Sequence, residues 1–276
     1  MIMDTIKDTT MLVCCHKSDY FRCGDGFFPI QVGKAISKCD LGITGDNSEE
    51  NISSKNPNYC ELTAHYWLWR NKKYGKFVGL SHYRRYFDFN LNLPFWKSYK
   101  SISVSQANKT PPTLPKNISE ILQKYDIVLA KPNLYPYSLK HDYCYCHIIE
   151  DYEILKAVVK NLTPEYFDSF IKIMEHNNKL SHYNMFLTNN KIFEDYSEWL
   201  FKILFEVEKK CKISEYPSQA RIFGYMSERL LNVYVHKHNL RVKYVPIVKI
   251  EDKQIKQGHL FLRNLKTRII ANINSI

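Results

Sequence analysis

The order of apolar and polar residues along the chain alternates between a spacing typical of strands and one typical of helices. Compact apolar runs predict strands at residues 11–15, 77–80, 125–130, 182–188 and 240–250. Capping residues predict two helices that begin at Asn58 and at Asn117. Two further helices are predicted to end near Leu162 and near Asn177. Amphipathic spacing predicts three more, at residues 31–39, 191–211 and 217–239. This alternation predicts a single α/β domain with a mostly parallel sheet that helices cover on both faces.

The stretch from Asn56 to Phe87 combines a helix, a turn and a strand. Asn58 and Glu61 stand three residues apart, which is the spacing of a capping box at the start of a helix. Apolar and aromatic residues between Leu62 and Trp69 occupy most faces of this helix, so we expect it to be largely buried. The strand that follows ends in the sequence HYRR at 82–85.

If the backbone stays extended through residues 82–87, His82 and Arg84 face one side of the sheet and Arg85 faces the other. Cationic groups at the end of a buried strand are costly unless an anion meets them, and ligands of open α/β sheets bind at this edge. A diphosphate suits the planar fork of an arginine well. The alternative is that the arginines form internal salt bridges and that His82 is a hydrogen-bonded core residue.

The chain has 276 residues, a length that fits one domain with or without an appendage. We assign residues 1–250 to the domain and residues 251–276 to a basic, amphipathic C-terminal tail. No apolar run approaches the ~18–20 residues of a membrane-spanning helix. Acidic residues precede the first apolar run, unlike in a secretory signal. These features predict a cytoplasmic protein.

The chain is basic, with 39 Lys and Arg against 28 Asp and Glu and a net charge of +11. Such a charge is typical of proteins that meet nucleic acids, anionic membranes or anionic substrates. The sequence contains no zinc-finger, recognition-helix or aromatic RNA-binding motif, which argues against a nucleic-acid partner. Its eight cysteines form no CxxC pair, so we expect free thiols rather than a structural zinc site.

Common phosphate-loop and nucleophile motifs are absent from the sequence, which has no GxGxxG, GxxxxGK[ST] or GxSxG. It also lacks an Asp-x-Asp after an apolar strand, where nucleotide-sugar enzymes of the α/β type hold a divalent metal. His82-Tyr83-Arg84 takes that place with the same spacing. We therefore expect cationic side chains to neutralise a diphosphate leaving group without a metal cofactor; Mn²⁺ or Mg²⁺ is the less favoured alternative.

A group-transfer enzyme also needs a base that deprotonates the acceptor hydroxyl. Glu228 is one candidate, and its alternative role is a surface ion pair with Arg229. Asp151 is a second candidate, because His147 lies four residues before it and such pairs face together on a helix. The alternative for Asp151 is an acid that the helix dipole favours. Asp142 is a third candidate.

Polar residues at two other strands are further candidates for ligand contacts. Asn184 interrupts an apolar strand, so it is either a hydrogen-bonded core residue or a contact to a sugar hydroxyl. His16 and Lys17 directly follow the first strand, where they either meet a nucleotide or lie in a solvated loop.

Together these residues match a known family. The sequence resembles the bacterial capsule and O-antigen glycosyltransferase domain that was long described as a domain of unknown function and later assigned as a galactofuranosyltransferase. The strings CELTA at 60–64 and HYRRYF at 82–87 are its most specific part, and the resemblance spans about residues 11–250. The other matching pieces are Cys15-His16-Lys17, Gly45-Asp46-Asn47, Asn51-Ile52-Ser53, 55–59, Trp67, Trp69, Gly79-Leu80, His147 with Asp151, Asn184-Met185-Phe186 and 221–230.

The resemblance implies a GT-A-like, Rossmann-like fold and an inverting transfer from a UDP-linked furanose to a lipid-linked or oligosaccharide acceptor. It also implies that the HYR segment replaces the metal-binding Asp-x-Asp. Galactofuranose, N-acetylgalactosaminofuranose, a heptose and a pyranose all stay open as the sugar. The chain departs from the family in two places: Cys144-Tyr145-Cys146 stands where members often carry more histidines, and residues 88–116 match no family pattern.

The residues and the resemblance together predict an inverting glycosyltransferase that extends a capsule or O-antigen polysaccharide. The predicted diphosphate-binding residues are His82, Arg84 and Arg85. The residues predicted to shape the nucleotide pocket are His16, Lys17, Asn58 and Glu61. The predicted base is Glu228 or Asp151, and the predicted sugar contacts are His147 and Asn184.

The basic tail is predicted to contact anionic lipids at the inner face of the cytoplasmic membrane. A capping helix or a self-association surface is the alternative for the tail. Three other functions compete with the main prediction: a module that binds a nucleotide or an anionic glycan without catalysis, a nucleic-acid binder, and a metal-dependent pyranosyltransferase. The sequence specifies no oligomeric state.

Overall fold

The structure is a computed structural model that describes residues 6–94, 97–251, 262, 265–267 and 269–270. The strands within these residues are β1 (Thr9–Cys15), β2 (Phe27–Gln31), β3 (Phe77–His82), β4 (Arg85–Phe87), β5 (Tyr99–Ile102), β6 (Ile127–Ala130), β7 (Asn133–Leu134), β8 (Lys179–Leu180), β9 (Phe186–Asn189), β10 (Val242–Val245) and β11 (Ile247–Ile250). The α-helices are α1 (Asn56–Tyr59), α2 (Leu62–Asn71), α3 (Val104–Lys109), α4 (Ile118–Lys124), α5 (Leu139–Cys146), α6 (Ile149–Leu162), α7 (Phe167–Glu175), α8 (Asn190–Glu208), α9 (Pro217–Ala220) and α10 (Ile222–Lys237).

The central sheet is built around β3, which is buried along its whole length. It pairs in parallel with β1 and antiparallel with β9, and the main sheet runs in the order β2-β1-β3-β9-β6-β10. Beyond the end of β3, the strands β4, β11 and β5 extend it. A side chain at Gly79 would lie 2.6 Å from the carbonyl oxygen of Phe186, so glycine permits the close approach of β9.

The two faces of the sheet bury separate apolar clusters, as a period of two along buried strands requires. Leu12 and Cys14 of β1 pack into the larger cluster, which α2, α6, α8 and α10 cover. Met11, Val13 and Cys15 point to the opposite face, where α3, α4 and β11 complete a smaller cluster. Apolar packing on both faces of the sheet thereby holds the carboxyl end of β1 in place.

The predicted fold class is confirmed, because the chain forms one α/β domain with a mostly parallel sheet and flanking helices. Several element predictions are wrong in detail. The helix predicted at 31–39 is a single 3₁₀ turn at Lys34–Ile36. The strand predicted at 240–250 is divided by Pro246 into β10 and β11, since proline supplies no N–H to a ladder. The excursion at 88–116 contributes the edge strand β5 and the helix α3.

Most of the predicted tail, 251–276, lies outside the described residues, so the domain boundary at residue 250 stays a prediction. Leu262, Leu265 and Ile269 belong to the described part of the tail, where they are helical and exposed. Among the helices of the described ranges, none has the length and apolar character to cross a membrane.

Candidate active site

The residues predicted to bind a ligand gather at the carboxyl ends of β1 and β3. The register of these parallel strands places Cys14 opposite His82, so residues 16–17 and the turn after β3 emerge at the same edge. The junction of α1 and α2, the segment at 181–185 and the start of α10 reach this edge through hydrogen bonds that are described below. The site is therefore assembled from five separate parts of the chain.

The chain reverses direction at Tyr83-Arg84, because β3 ends at His82 and β4 begins at Arg85. His82 and Arg85 are direct antiparallel partners. The prediction of an extended backbone through residues 82–87 is therefore wrong, and so is the grouping of His82 with Arg84 on one face. Cross-strand partners share a face of the sheet, which groups His82 with Arg85 and leaves Arg84 in the turn.

Arg84 has a carboxylate partner within the protein. Its Nη2 lies 2.6 Å from Oδ2 of Asp19, and the Lys17 Nζ lies 3.8 Å from the same oxygen. Burial would raise the pKa of Asp19, but hydrogen bonds from the Tyr20 N–H and from Arg84 hold it below its usual range. Arg84 thus follows the internal salt-bridge alternative, whereas half of the Lys17 side chain remains exposed.

Four basic side chains form what we call the cationic cluster: His16, Lys17, Arg85 and Arg221. His16 is exposed to solvent yet closely surrounded by protein, as at a concave surface. Burial by the surrounding protein is the largest effect on His16 and lowers its pKa, and the positive charges of Lys17, Arg221 and Arg85 lower that pKa further. Lys17, Arg221 and Arg85 thus each lie within electrostatic range of the His16 imidazole.

Two members of the cationic cluster have no carboxylate partner among the described residues. The Arg85 guanidinium lies over the ring of Tyr183, 4.7 Å from its centre. The Arg221 Nε donates to the Cys60 sulfur at 3.2 Å. Because no carboxylate neutralises these two arginines, the site has a positive electrostatic potential that favours an anionic ligand.

His82 is buried, and its ring holds the backbone of the segment before β9. The Nε2–H donates to the carbonyl oxygen of Tyr183 at 2.6 Å. Burial lowers the pKa of His82, so the ring is neutral near pH 7. His82 therefore positions Tyr183. It adds no charge to the cationic cluster, but it lies beside a member of that cluster as the cross-strand partner of Arg85.

The predicted capping box of Asn58 and Glu61 does not form. The chain breaks between α1 and α2 at Cys60, whose φ of 52° lies in the left-handed region. The Asn58 side chain instead donates to the carbonyl oxygen of Ala220 at 2.9 Å, which ties α1 to the end of α9. Glu61 faces the segment before β9, so only Glu61 of this pair is turned toward other site residues.

Asn184 is held in a polar contact deep in the site. Its Nδ2 donates to Oε1 of Glu61 at 2.7 Å and to the carbonyl oxygen of Gly224 at 3.2 Å. Asn184 and the preceding Tyr183 have φ values of 52° and 72°, which non-glycine residues rarely adopt. The Asn184 Oδ1 is buried without a hydrogen-bond partner in the described part of the chain. Asn184 is therefore hydrogen-bonded within the protein through Nδ2, and its contact with a sugar hydroxyl stays a prediction.

Glu228 accepts hydrogen bonds on both carboxylate oxygens. Oε1 accepts from the Tyr183 N–H at 2.8 Å, and Oε2 lies 3.3 Å from the His182 Nδ1. Burial alone would raise the pKa of Glu228, but His182, Arg229 and the Tyr183 N–H outweigh it and lower the pKa to about 2. Glu228 is thus a partly buried anion that binds protons weakly, and its ion pair with Arg229 lies below the surface, since Arg229 is buried.

Asp151 lies apart from Glu228, in the first turn of α6. Burial raises its pKa to about 6, and the Cys211 thiol is its hydrogen-bonding neighbour. The prediction that His147 and Asp151 share one helix face is wrong, because α5 ends at Cys146 and α6 begins at Ile149. His147 instead stacks on Tyr225, with the ring centres 4.1 Å apart. The site thus includes His147 but leaves Asp151 at its periphery.

Sequence reasoning missed four residues that the structure places in the site. His182 and Tyr135 extend the contacts of Glu228, since the Tyr135 hydroxyl lies 2.5 Å from the His182 Nε2. Arg229 bridges Glu228 at 3.6 Å and Asp142 at 3.1 Å. Arg221 completes the cationic cluster. The string His182-Tyr183-Asn184 carried a usable signal, because three polar or amphipathic residues precede an apolar run.

No group of three or more His, Cys, Asp or Glu side chains within the described ranges is arranged to hold a metal ion. Of the carboxylates near the site, Asp19 pairs with Arg84, Glu61 accepts from Asn184, and Glu228 interacts with His182.

Comparison with protein families gives one match that covers most of the chain. The model of the family described as "Domain of unknown function (DUF4422)" matches residues 10–239. A search of curated proteins finds no match.

Comparison with solved structures identifies a similar fold in a protein described as "WbbM bifunctional glycosyltransferase" in its apo form. The two chains are 30% identical and superpose with a TM-score of 0.76 over 88% of this chain. The match covers 45% of the other chain, so this chain spans less than half the length of that protein. The similarity confirms the expected GT-A-like arrangement of sheet and helices.

Proposed function

This chain belongs to the family described as a domain of unknown function (DUF4422), and from that premise we propose that it is a glycosyltransferase of bacterial polysaccharide synthesis. The observation that carries the proposal is the cationic cluster at the carboxyl ends of β1 and β3. The structural similarity to a bifunctional glycosyltransferase supports the same reaction class. The proposed donor is a UDP-linked furanose of the galactofuranose type.

Binding of the donor diphosphate is the proposed role of the cationic cluster. Arg85, Arg221 and Lys17 would donate to phosphate oxygens, with Arg84 contributing charge from its ion pair with Asp19. Preorganised cations stabilise the negative charge that develops on a departing nucleoside diphosphate. We propose that this stabilisation takes the place of a divalent metal, since the HYR segment occupies the position in which Asp-x-Asp would hold one.

The acceptor is proposed to approach from the side of α10, where Glu228, Asn184 and His147 are found. Direct displacement of UDP by an acceptor hydroxyl inverts the configuration at the sugar carbon, and it requires one proton acceptor. The contact between Glu228 and His182 favours Glu228 over Asp151 for this step, since Asp151 has the Cys211 thiol as its hydrogen-bonding neighbour. The proposed acceptor is a lipid-linked or oligosaccharide glycan.

Contact with an anionic membrane surface is a further part of the proposal. The described apolar residues of the tail, Leu262, Leu265 and Ile269, are exposed, and Lys266 lies among them. This combination of apolar and basic residues on a helix is typical of segments that lie in a lipid interface.

Isothermal titration calorimetry with UDP and with uridine, both in EDTA, tests the diphosphate site. We expect UDP to bind at least about 100-fold more tightly than uridine, because charge-assisted hydrogen bonds contribute about 1.5–3 kcal/mol each. The difference should shrink as the salt concentration rises, since the cations are partly exposed. Equal affinities for UDP and uridine would contradict the proposal.

A further inference from the structure

Three side chains from three segments of the chain, Tyr135, His182 and Glu228, are connected through the two ring nitrogens of His182. The Tyr135 hydroxyl lies 2.5 Å from the Nε2 of His182, and the Nδ1 of His182 lies 3.3 Å from Oε2 of Glu228. The other oxygen of Glu228 accepts from the Tyr183 N–H at 2.8 Å, which fixes the orientation of the carboxylate. Both nitrogens of His182 therefore have a defined partner.

The partners of His182 determine which of its nitrogens carries the proton. An ionised carboxylate only accepts hydrogen bonds, so the Nδ1–H of His182 donates to Glu228. The Nε2 is then the acceptor, and the Tyr135 hydroxyl donates to it. The Tyr135 hydroxyl thus already occupies the position beside the His182 Nε2 that the hydroxyl of a sugar acceptor would need.

The residues next to His182 carry more negative than positive charge. Glu228 and Asp142 each carry a negative charge, and Arg229, which is 4% exposed, bridges them with a single positive charge. With a neutral His182 this buried group of residues has an excess negative charge, and a protonated ring would neutralise it. The aromatic hydroxyl of Tyr135 adds no charge near neutral pH, because burial raises its pKa.

We propose that His182 accepts the proton of the acceptor hydroxyl and that Glu228 orients the ring for this role. The inference rests on the proposed glycosyl transfer. The acceptor hydroxyl displaces the Tyr135 hydroxyl from Nε2, and its oxygen bonds to the first carbon of the donor sugar. The bond from that carbon to the diphosphate breaks, UDP leaves with the electron pair, and the proton moves to Nε2.

The variant His182→Asn tests proton acceptance, because its side-chain N–H can still donate to Glu228 but has no basic nitrogen. With UDP-galactofuranose and a simple galactoside acceptor, we expect its kcat to fall by about 10²–10⁴-fold, the range of general-base catalysis. Its affinity for UDP should remain within about threefold of wild type, because the cationic cluster is intact. His176→Asn is the matched control, because it makes the same substitution at an exposed histidine at the end of α7, and it should keep kcat within a few-fold of wild type.

The dependence of kcat on pH separates His182 from a carboxylate base. With an imidazole base, kcat should fall as the pH is lowered between 8 and 5, because a protonated ring has no free nitrogen to accept the proton. With Glu228 as the base, the rate would stay level across that range, because the carboxylate remains ionised. A level profile from pH 5 to 8, or turnover by His182→Asn within tenfold of wild type, would overturn the inference.

Nitrogen-15 NMR of the free protein tests the orienting role of Glu228 without any turnover. The His182 resonances are assigned by their loss in His182→Asn. We expect the Nδ1–H tautomer in wild type and the Nε2–H tautomer in Glu228→Gln, since an amide N–H would then face Nδ1. An Nε2–H tautomer in wild type overturns the inference. Absence of UDP binding and of turnover would instead contradict the proposed function itself.

Discussion

The double variant Arg85→Ala and Arg221→Ala is expected to lower the affinity for UDP by about 10³-fold. Each guanidinium is expected to contribute about 2 kcal/mol through charge-assisted hydrogen bonds to phosphate oxygens, which is about 30-fold in affinity. Neither arginine has a carboxylate partner among the described residues, so their removal leaves no buried anion unpaired. Calorimetric titration with UDP in EDTA measures the effect for each single variant and for the pair.

Arg241→Ala is the matched control for the loss of a positive charge. Arg241 pairs with Asp126 at the far edge of the sheet, next to β10. We expect its affinity for UDP to stay within about twofold of wild type. Thermal unfolding of all variants shows whether the fold persists. Unchanged UDP affinity in the folded double variant would exclude the cationic cluster as the diphosphate site.

The variant Asn184→Asp is expected to destabilise the fold by about 3–5 kcal/mol at pH 7.5, the cost of an unpaired buried charge. The substitution keeps the shape of the side chain and the left-handed backbone, which aspartate tolerates. It replaces the N–H donor that lies 2.7 Å from Oε1 of Glu61 by an oxygen. Two carboxylates would then share a buried site with no intervening proton.

The destabilisation should depend on pH in a defined direction. Like-charge repulsion and burial raise the folded-state pKa of the introduced carboxyl above its unfolded value of about 3.9. The penalty is therefore complete above the folded-state pKa, and it shrinks by about 1.4 kcal/mol per pH unit as the pH falls toward 3.9. Urea unfolding of variant and wild type at the same pH values measures this difference.

Asn239→Asp is a control with the same backbone requirement. Asn239 has a φ of 49° and is exposed, so the substitution keeps the left-handed conformation without burying a charge. We expect a change within about 0.5 kcal/mol, as for most surface substitutions. A similar loss in both variants would assign the effect to the backbone rather than to the contact between Asn184 and Glu61.

Buried strands were predictable because their apolar runs are compact. The run at 11–15 became β1, and the run at 77–80 became the centre of β3. The hairpin at Tyr83-Arg84 was not predictable, since the sequence there contains neither glycine nor proline to mark a turn. The same reason explains the missed break at Cys60, where a non-glycine residue takes a positive φ and separates two helices.

The cationic part of the site was largely predictable, and its proton-accepting part was not. His16, Lys17 and Arg85 follow or flank strands that the apolar pattern identifies, so parallel pairing brings them together. Arg221 lies between the short helix α9 and the long helix α10, where no pattern relates it to β1. His182 gains its significance only from a hydrogen bond to Glu228, 46 positions away, and such long-range pairs are not encoded in local spacing.

The most direct test of the central claim is turnover of UDP-galactofuranose against UDP-galactopyranose, each with EDTA and with Mn²⁺. UDP release is measured alone and with a simple galactoside acceptor. We predict turnover of the furanose donor that persists in EDTA, because the cationic cluster is proposed to take the place of a metal. Turnover of only the pyranose donor, and only with Mn²⁺, would contradict this account of the site.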